Sequence, residues 1–190
     1  MSILNSDPWF GRGTTLFGGP AKYAGHEGAV ASADPRNGTA VTGSQKVFTD
    51  TDPRATQTGI LLSNRVVTCV AVRNTSGAPL LPGAVVKMKD TAILTETDGV
   101  AASVADSPLG VVDEYLPAAG VANGDVFWLV VSGPCAVTTA ATLAPGAFVT
   151  ATAGAAATGT AANAIGVVIS APVAGKVRTL LNTTYGHSAA

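Results

Sequence analysis

Side chains able to do chemistry are few and scattered in this 190-residue chain. Its two histidines are His26, in a glycine-rich stretch, and His187, fourth from the end. Neither stands where a rigid element would fix its geometry for proton transfer. Cys69 and Cys135 each lie in an apolar, strand-like run without metal-ligand spacing, so buried free thiols are expected. Carboxylates pair up at Asp50 and Asp52, Glu96 and Asp98, and Asp113 and Glu114. The first pair sits in Thr-Asp-Thr-Asp-Pro, which resembles oxygen-rich calcium loops but lacks their further ligands and closing acid, so a solvated turn is expected. Adjacent Asp113 and Glu114 point to opposite faces of an extended chain and make poor acid-base partners. Gly11-Arg-Gly13 has no strand before it and no helix after it, and no Lys-Ser/Thr pair follows any glycine cluster, so no phosphate cradle forms. The residue types therefore predict no enzyme, no cofactor and no metal; a hydrolase would need a His/Asp/Ser or paired-carboxylate constellation.

The aromatic residues divide into two kinds. Trp128, inside the run Val-Phe-Trp-Leu-Val-Val, belongs to a core. Trp9 and Phe10, flanked by Pro8 and Gly11, have no local core to join, and Leu16, Phe17, Tyr23 and Phe48 recur beyond them. Large rings spaced along a segment that orders on binding are interface anchors, so these six residues are the candidate partner contacts.

The elements that would carry these residues fall into three parts. Residues 1–64 hold nine glycines and four prolines with no sustained period of 2 or 3.6, and read as an extended arm without a core of its own. Residues 65–182 read as short strands separated by turn signals, with no convincing amphipathic helix, and residues 183–190 form a tail. The expected class is all-β, a small barrel or sandwich. Segments 66–72, 84–88, 109–113, 126–131, 135–138, 147–152, 165–170 and 177–181 are the expected strands, and Asp98-Gly99 is a hairpin-type dipeptide. The run at 126–131 lacks polar alternation, as a strand covered on both faces would. A weak repeat links Pro82-Gly-Ala-Val-Val86 to Pro145-Gly-Ala-Phe-Val149, and Gly110-Val-Val112 to Gly166-Val-Val168, the pattern of a two-fold pseudo-symmetric fold.

Composition narrows the setting. The chain is 47% hydrophobic but only 5% aromatic, so the core is built largely from Ala and Val and should be thin. Charged residues make up 12%, with net charge −1, which supplies no basic stripe for nucleic acid. Residues 126–175 contain no Asp, Glu, Lys or Arg, a span that calls for burial on both sides or a Thr/Ala/Gly surface covered by a partner. No secretory leader and no run of the roughly 20 apolar residues of a membrane span is visible, so a protein of the reducing cytoplasm, released only by lysis, is expected.

Val-Ala-Val-Arg-Asn-Thr-Ser-Gly77 leading into Leu-Pro-Gly-Ala-Val-Val86, Ser-Pro-Leu-Gly-Val-Val112, Ala-Asn-Gly-Asp-Val126 with Val-Ser-Gly133, and Ala-Pro-Gly-Ala147 with Ala-Ile-Gly-Val167 carry, over residues 65–182, a resemblance to the capsid decoration, or cement, proteins of tailed bacteriophages. It covers about three-fifths of the chain, and the long N-terminal part departs from it. It implies a structural protein on the outer surface of a phage capsid that contacts the major capsid protein and stiffens the shell against packaged DNA. It brings no catalytic residues. Self-association as a homotrimer, with a homodimer as the variant, is expected from the uncharged span. The alternative is a receptor- or carbohydrate-binding β-module of a phage tail or spike, which would want exposed aromatics beside Asp, Asn and Arg in one loop.

Overall fold

A computed structural model of the protein describes residues 15–17, 42–43, 45–51, 62–89, 95–106 and 108–183. These form eleven strands: β1 (Thr15–Phe17), β2 (Gln45–Thr51), β3 (Leu62–Asn74), β4 (Val85–Lys87), β5 (Glu96–Thr97), β6 (Pro108–Val112), β7 (Val126–Thr138), β8 (Phe148–Thr152), β9 (Ala155–Thr158), β10 (Gly166–Val173) and β11 (Lys176–Asn182). Helical structure among them is limited to single 3-10 turns at Val104–Asp106 and Ala161–Asn163, and no helix is long and apolar enough to cross a membrane. The all-β class stands. The main path runs β2-β3-β7-β11-β10-β8-β9 without closing on itself, so a barrel is not formed and a sandwich-like arrangement is the compatible one.

The two longest strands organise the rest. Along β7 the side chains of Val126, Trp128 and Val130 enter one buried cluster, and those of Phe127, Leu129 and Val131 enter another on the opposite face. Its antiparallel neighbour β3 divides likewise, with Val67, Cys69 and Ala71 on the first face and Val70 and Val72 on the second. Double coverage explains the absence of polar alternation in this run. It also yields two thin apolar layers rather than one thick one, as small side chains dictate. Both cysteines are free and buried in the first layer.

A bulge in β7 was not expected. The sequence suggests two strands at 126–131 and 135–138, broken by Ser132-Gly-Pro134. The structure instead carries one strand through this point, because Gly133 adopts φ +101° and the register against β3 slips between Thr68 and Cys69. The slip reverses facing, so odd-numbered Cys135 and Val137 join the layer that even-numbered Val126, Trp128 and Val130 occupy upstream. Pro134, which cannot donate a ladder bond, sits where pairing with β3 has ended and β11 alone continues. Asp98-Gly99 does not close a two-residue hairpin either. Glu96–Thr97 pairs in parallel with β3, and Val100 bridges Val86.

The internal repeat is realised strand by strand. Val85 and Val86 of β4 face Val111 and Gly110 of β6; Phe148 and Val149 of β8 face Val167 and Gly166 of β10 in the same register. Each Pro-Gly turn closes identically, with Ala84 N–H donating to Leu81 C=O and Ala147 N–H to Ala144 C=O, both at 3.1 Å. Gly83 (φ +89°) and Gly146 (φ +85°) supply the left-handed second corner that follows proline. In each half the Gly-Val-Val strand is then flanked by a longer one: Val111 and Val112 by Val130 and Leu129, Val167 and Val168 by Leu180 and Thr179. The long strands β7 and β11 pair antiparallel with each other.

Asn74 ties the connecting loops to this frame. Its side-chain amide donates to Ala78 C=O and Val121 C=O, both at 2.9 Å, and its side-chain oxygen accepts from Ser76 N–H and Ser76 Oγ. Its backbone bonds Asp125 and Gly124. A fully buried amide with all four side-chain bonds made fixes the chain on both sides of the Asn-Thr-Ser-Gly turn. Asn74→Asp turns both donors into acceptors facing carbonyls, and the unfolding free energy should fall by about 2–4 kcal/mol in a denaturant titration. A Cβ at Gly110 or Gly166 would run into the backbone carbonyl of Val130 or Leu180 respectively. Gly110→Ala and Gly166→Ala should each cost about 1–3 kcal/mol, read as a drop in denaturation midpoint.

Candidate docking surface

The second face of the sheet is covered over only part of its length. Leu80, Ala84, Val86, Val112, Leu116 and Val121 close the layer above Val70, Val72, Phe127 and Leu129. Arg178 on β11 marks the end of that cover, donating at 3.0 Å to Glu114 from the segment after β6, with both side chains mostly buried. Beyond this ion pair the same face is open.

The open part is apolar. Register places Phe148 opposite Val167, Val167 opposite Leu180, and Leu180 opposite Pro134, a row across β8, β10, β11 and β7. Paired residues share a face. With Val66 of β3 they line an open groove of about 890 Å³, whose lining contains no Asp, Glu, Lys or Arg. Phe148 and Leu180 are 42% and 41% exposed, Val66 57%, and Val47, diagonal to Val66 across β2 and β3, 61%. At about 4.8 Å per strand the stripe from β8 to β2 crosses roughly 24 Å. Isolated exposed valines are ordinary; a connected uncharged stripe of this width is a candidate contact surface. Sequence reasoning missed these residues, because an apolar strand residue reads as core until its cover is known.

The anchors expected from the sequence are placed unevenly. Trp9, Phe10 and Tyr23 lie outside the described residues. Leu16 and Phe17 belong to β1, whose backbone pairs with β7 at Val126 and Phe127. Phe48 lies on β2, and its half-buried ring meets Trp128 edge to face, with centroids 5.9 Å apart and planes at 73°. Part of the stretch read as arm is therefore laddered into the sheet: β2 pairs with β3, and β3 itself begins at Leu62.

Polar residues singled out for chemistry serve local structure where they are described. Glu96 bonds Lys89 at 2.6 Å, Asp98 lies 3.6 Å from Lys87, and buried Asp113 accepts from Tyr115 N–H at 3.1 Å. Asp50 is on β2 and Asp52 lies outside the described residues, as do His26 and His187. No group of three or more His, Cys, Asp or Glu residues suited to a metal occurs among the described residues.

No family model matches the chain, and no curated protein matches it. A solved structure similar to it is the head fiber gp8.5 N base of bacteriophage phi29, at 15% identity and a TM-score of 0.42, covering 61% of this chain and 94% of that one. Likeness at that level carries no weight for function.

The Phe48 contact separates a residue that packs at home from one reserved for a partner. Phe48→Ala should lower the stability of the isolated protein by about 2 kcal/mol, half or less of the cost of deleting a fully buried Phe, measured by chemical denaturation.

Proposed function

We propose that the protein is a non-enzymatic structural component of a tailed-phage virion. In this reading it sits on the outer surface of the capsid, contacts the major capsid protein, and cements neighbouring subunits against the pressure of packaged DNA as a homotrimer. The observation that carries the reading is the uncharged open stripe that crosses the sheet from β8 to β2. A surface of that kind gains free energy by excluding water against a complementary protein surface. Its polar lining side chains are Ser132 and Asn182, with no charged residue beside them, whereas a sugar-binding site would want exposed aromatics beside Asp, Asn and Arg in one loop.

The mechanism is mass action. A protein that binds the assembled lattice and not the free subunit stabilises the lattice by the free energy of occupancy, and many copies multiply the effect. The segment read from the sequence as an arm, residues 1–64, carries Trp9 and Phe10, and a tethered contact of that kind engages at high effective concentration once the β-domain has docked. The mass of small uncharged side chains over residues 126–175 suits a surface that stays covered in the particle.

Removing residues 1–64 would delete β1, β2 and the start of β3, so point substitutions are the cleaner probe. Heads of the parent phage stripped of the protein should be reloaded by the wild-type chain to saturation. Trp9→Ala combined with Phe10→Ala should weaken loading by about tenfold or more, read by gel densitometry of purified particles. Unchanged loading would remove the tether's role, and a wild-type chain that leaves heads bare at micromolar concentration would remove the capsid reading itself.

A further inference from the structure

The two halves of the internal repeat build the same cross-strand row and treat it differently. In the first half the row is Val85, Val111 and Val130, joined by register through β4, β6 and β7, and all three are fully buried. In the second half the matching row is Phe148, Val167 and Leu180, with the same pairing through β8, β10 and β11; here Phe148 and Leu180 are exposed and Val167 is half-buried. The larger side chains are thus in the bare row.

What seals the first row is the chain itself. The turn between β8 and β9 folds onto it: Val85 N–H donates to Gly154 C=O, Gly154 N–H to Ala101 C=O, and Ala153 N–H to Ala102 C=O. Ala151 and Ala156 of that hairpin join the same buried cluster as Val85, Val111 and Val130. The kind of surface that fits such a row is therefore a small-residue, uncharged β-surface of this chain's own making. One is displayed on its exterior, where Thr152 of β8, Ala153 of the turn and Thr158 of β9 are exposed within the fifty-residue span that has no charge.

We propose that the row Phe148, Val167 and Leu180, with Val66 and Pro134, is a self-association surface that docks a second copy of this chain. Charge supports that occupant, since neither the groove nor the 126–175 surface carries an ionised group, and burying one against the other strands none. The inference deepens the homo-oligomer in the reading above but depends on no capsid.

The test is sedimentation equilibrium of the full chain without phage heads. Wild type should associate, and Leu180→Glu and Phe148→Glu should each weaken association by roughly thirtyfold or more, as for a central interface residue. Val173→Glu, at a 75% exposed position on the β10–β11 turn and outside the row, should associate as wild type does. Circular dichroism checks folding; if a glutamate variant unfolds, Phe148→Ser is read instead. A wild-type chain that stays monomeric at all concentrations, or a folded Leu180→Glu chain that associates undiminished, overturns the proposal. It is equally overturned if wild type is monomeric and Leu180→Glu only loses loading onto heads, because the row then faces the shell. Association without head binding would leave this proposal standing and remove the capsid reading, so the two fail separately.

Discussion

Burial of β7 on both faces is the constraint to which the remaining strands answer. The strand pairs with β3 along one side and with β1, β6 and β11 in turn along the other, so its placement sets four ladders at once. A strand in that position can spare no polar side chain, and Val126–Val131 has none. The cost is that both faces must then be roofed by other parts of the chain. Small residues make two shallow roofs possible where large ones would force a single deep layer. The bulge at Val131, between the pairs Cys69–Val130 and Thr68–Ser132, is what lets the strand change facing along its length. Upstream it pairs with β3 beneath both layers; downstream, with facing reversed, it presents Cys135 and Val137 inward and pairs with β11 alone.

Much of this was legible in the sequence, and the reasons differ by element. The unbroken apolar run announced a doubly covered strand, and the buried thiols followed from the runs that hold them. The repeat was legible because the Pro-Gly turn and the Gly of Gly-Val-Val are each required by backbone geometry, one for its left-handed corner and one for the close approach of a neighbouring carbonyl. Ser132-Gly-Pro134 was misread because the same residues mark a chain break and a bulge; only the presence of β11 as a continuing partner decides between them. Two hairpins were hidden for a different reason. Ala153-Gly154 and Ala174-Gly175 turn with alanine at φ +49° and +50°, where asparagine or aspartate would have signalled the turn. Strand β2 was also hidden, since Phe48 looks like one more spaced ring until Trp128 is placed beneath it.

The candidate surface was legible only as a property of composition. Fifty residues without a charge say that something covers part of them, but not which part. Folding splits the span: β7 is covered within the chain, whereas β8, β9 and β10 turn Thr, Ala and Ser outward. The exposed Phe148 and Leu180 stand out against that background because of what the first repeat does with the same positions. An internal duplication is in this sense its own control. Where both copies meet the same environment their sequences can stay alike, as the Pro-Gly and Gly-Val-Val segments do; where one copy is left without a roof, larger side chains stand exposed in the matching row.

That asymmetry also follows from how the duplication is closed. Two equal halves joined through antiparallel β7 and β11 could in principle roof each other reciprocally, each lending its hairpin to the row of the other. The second half does lend β8–β9 to the first. The first half's corresponding segment folds back on β4, where Val100 bridges Val86, and pairs with β3 through Glu96–Thr97, and Phe148 and Leu180 of the second row stay exposed. One row is consequently left open by topology rather than by any lack of apolar residues. An open chain of lending of this kind leaves one apolar row exposed on the surface of the molecule.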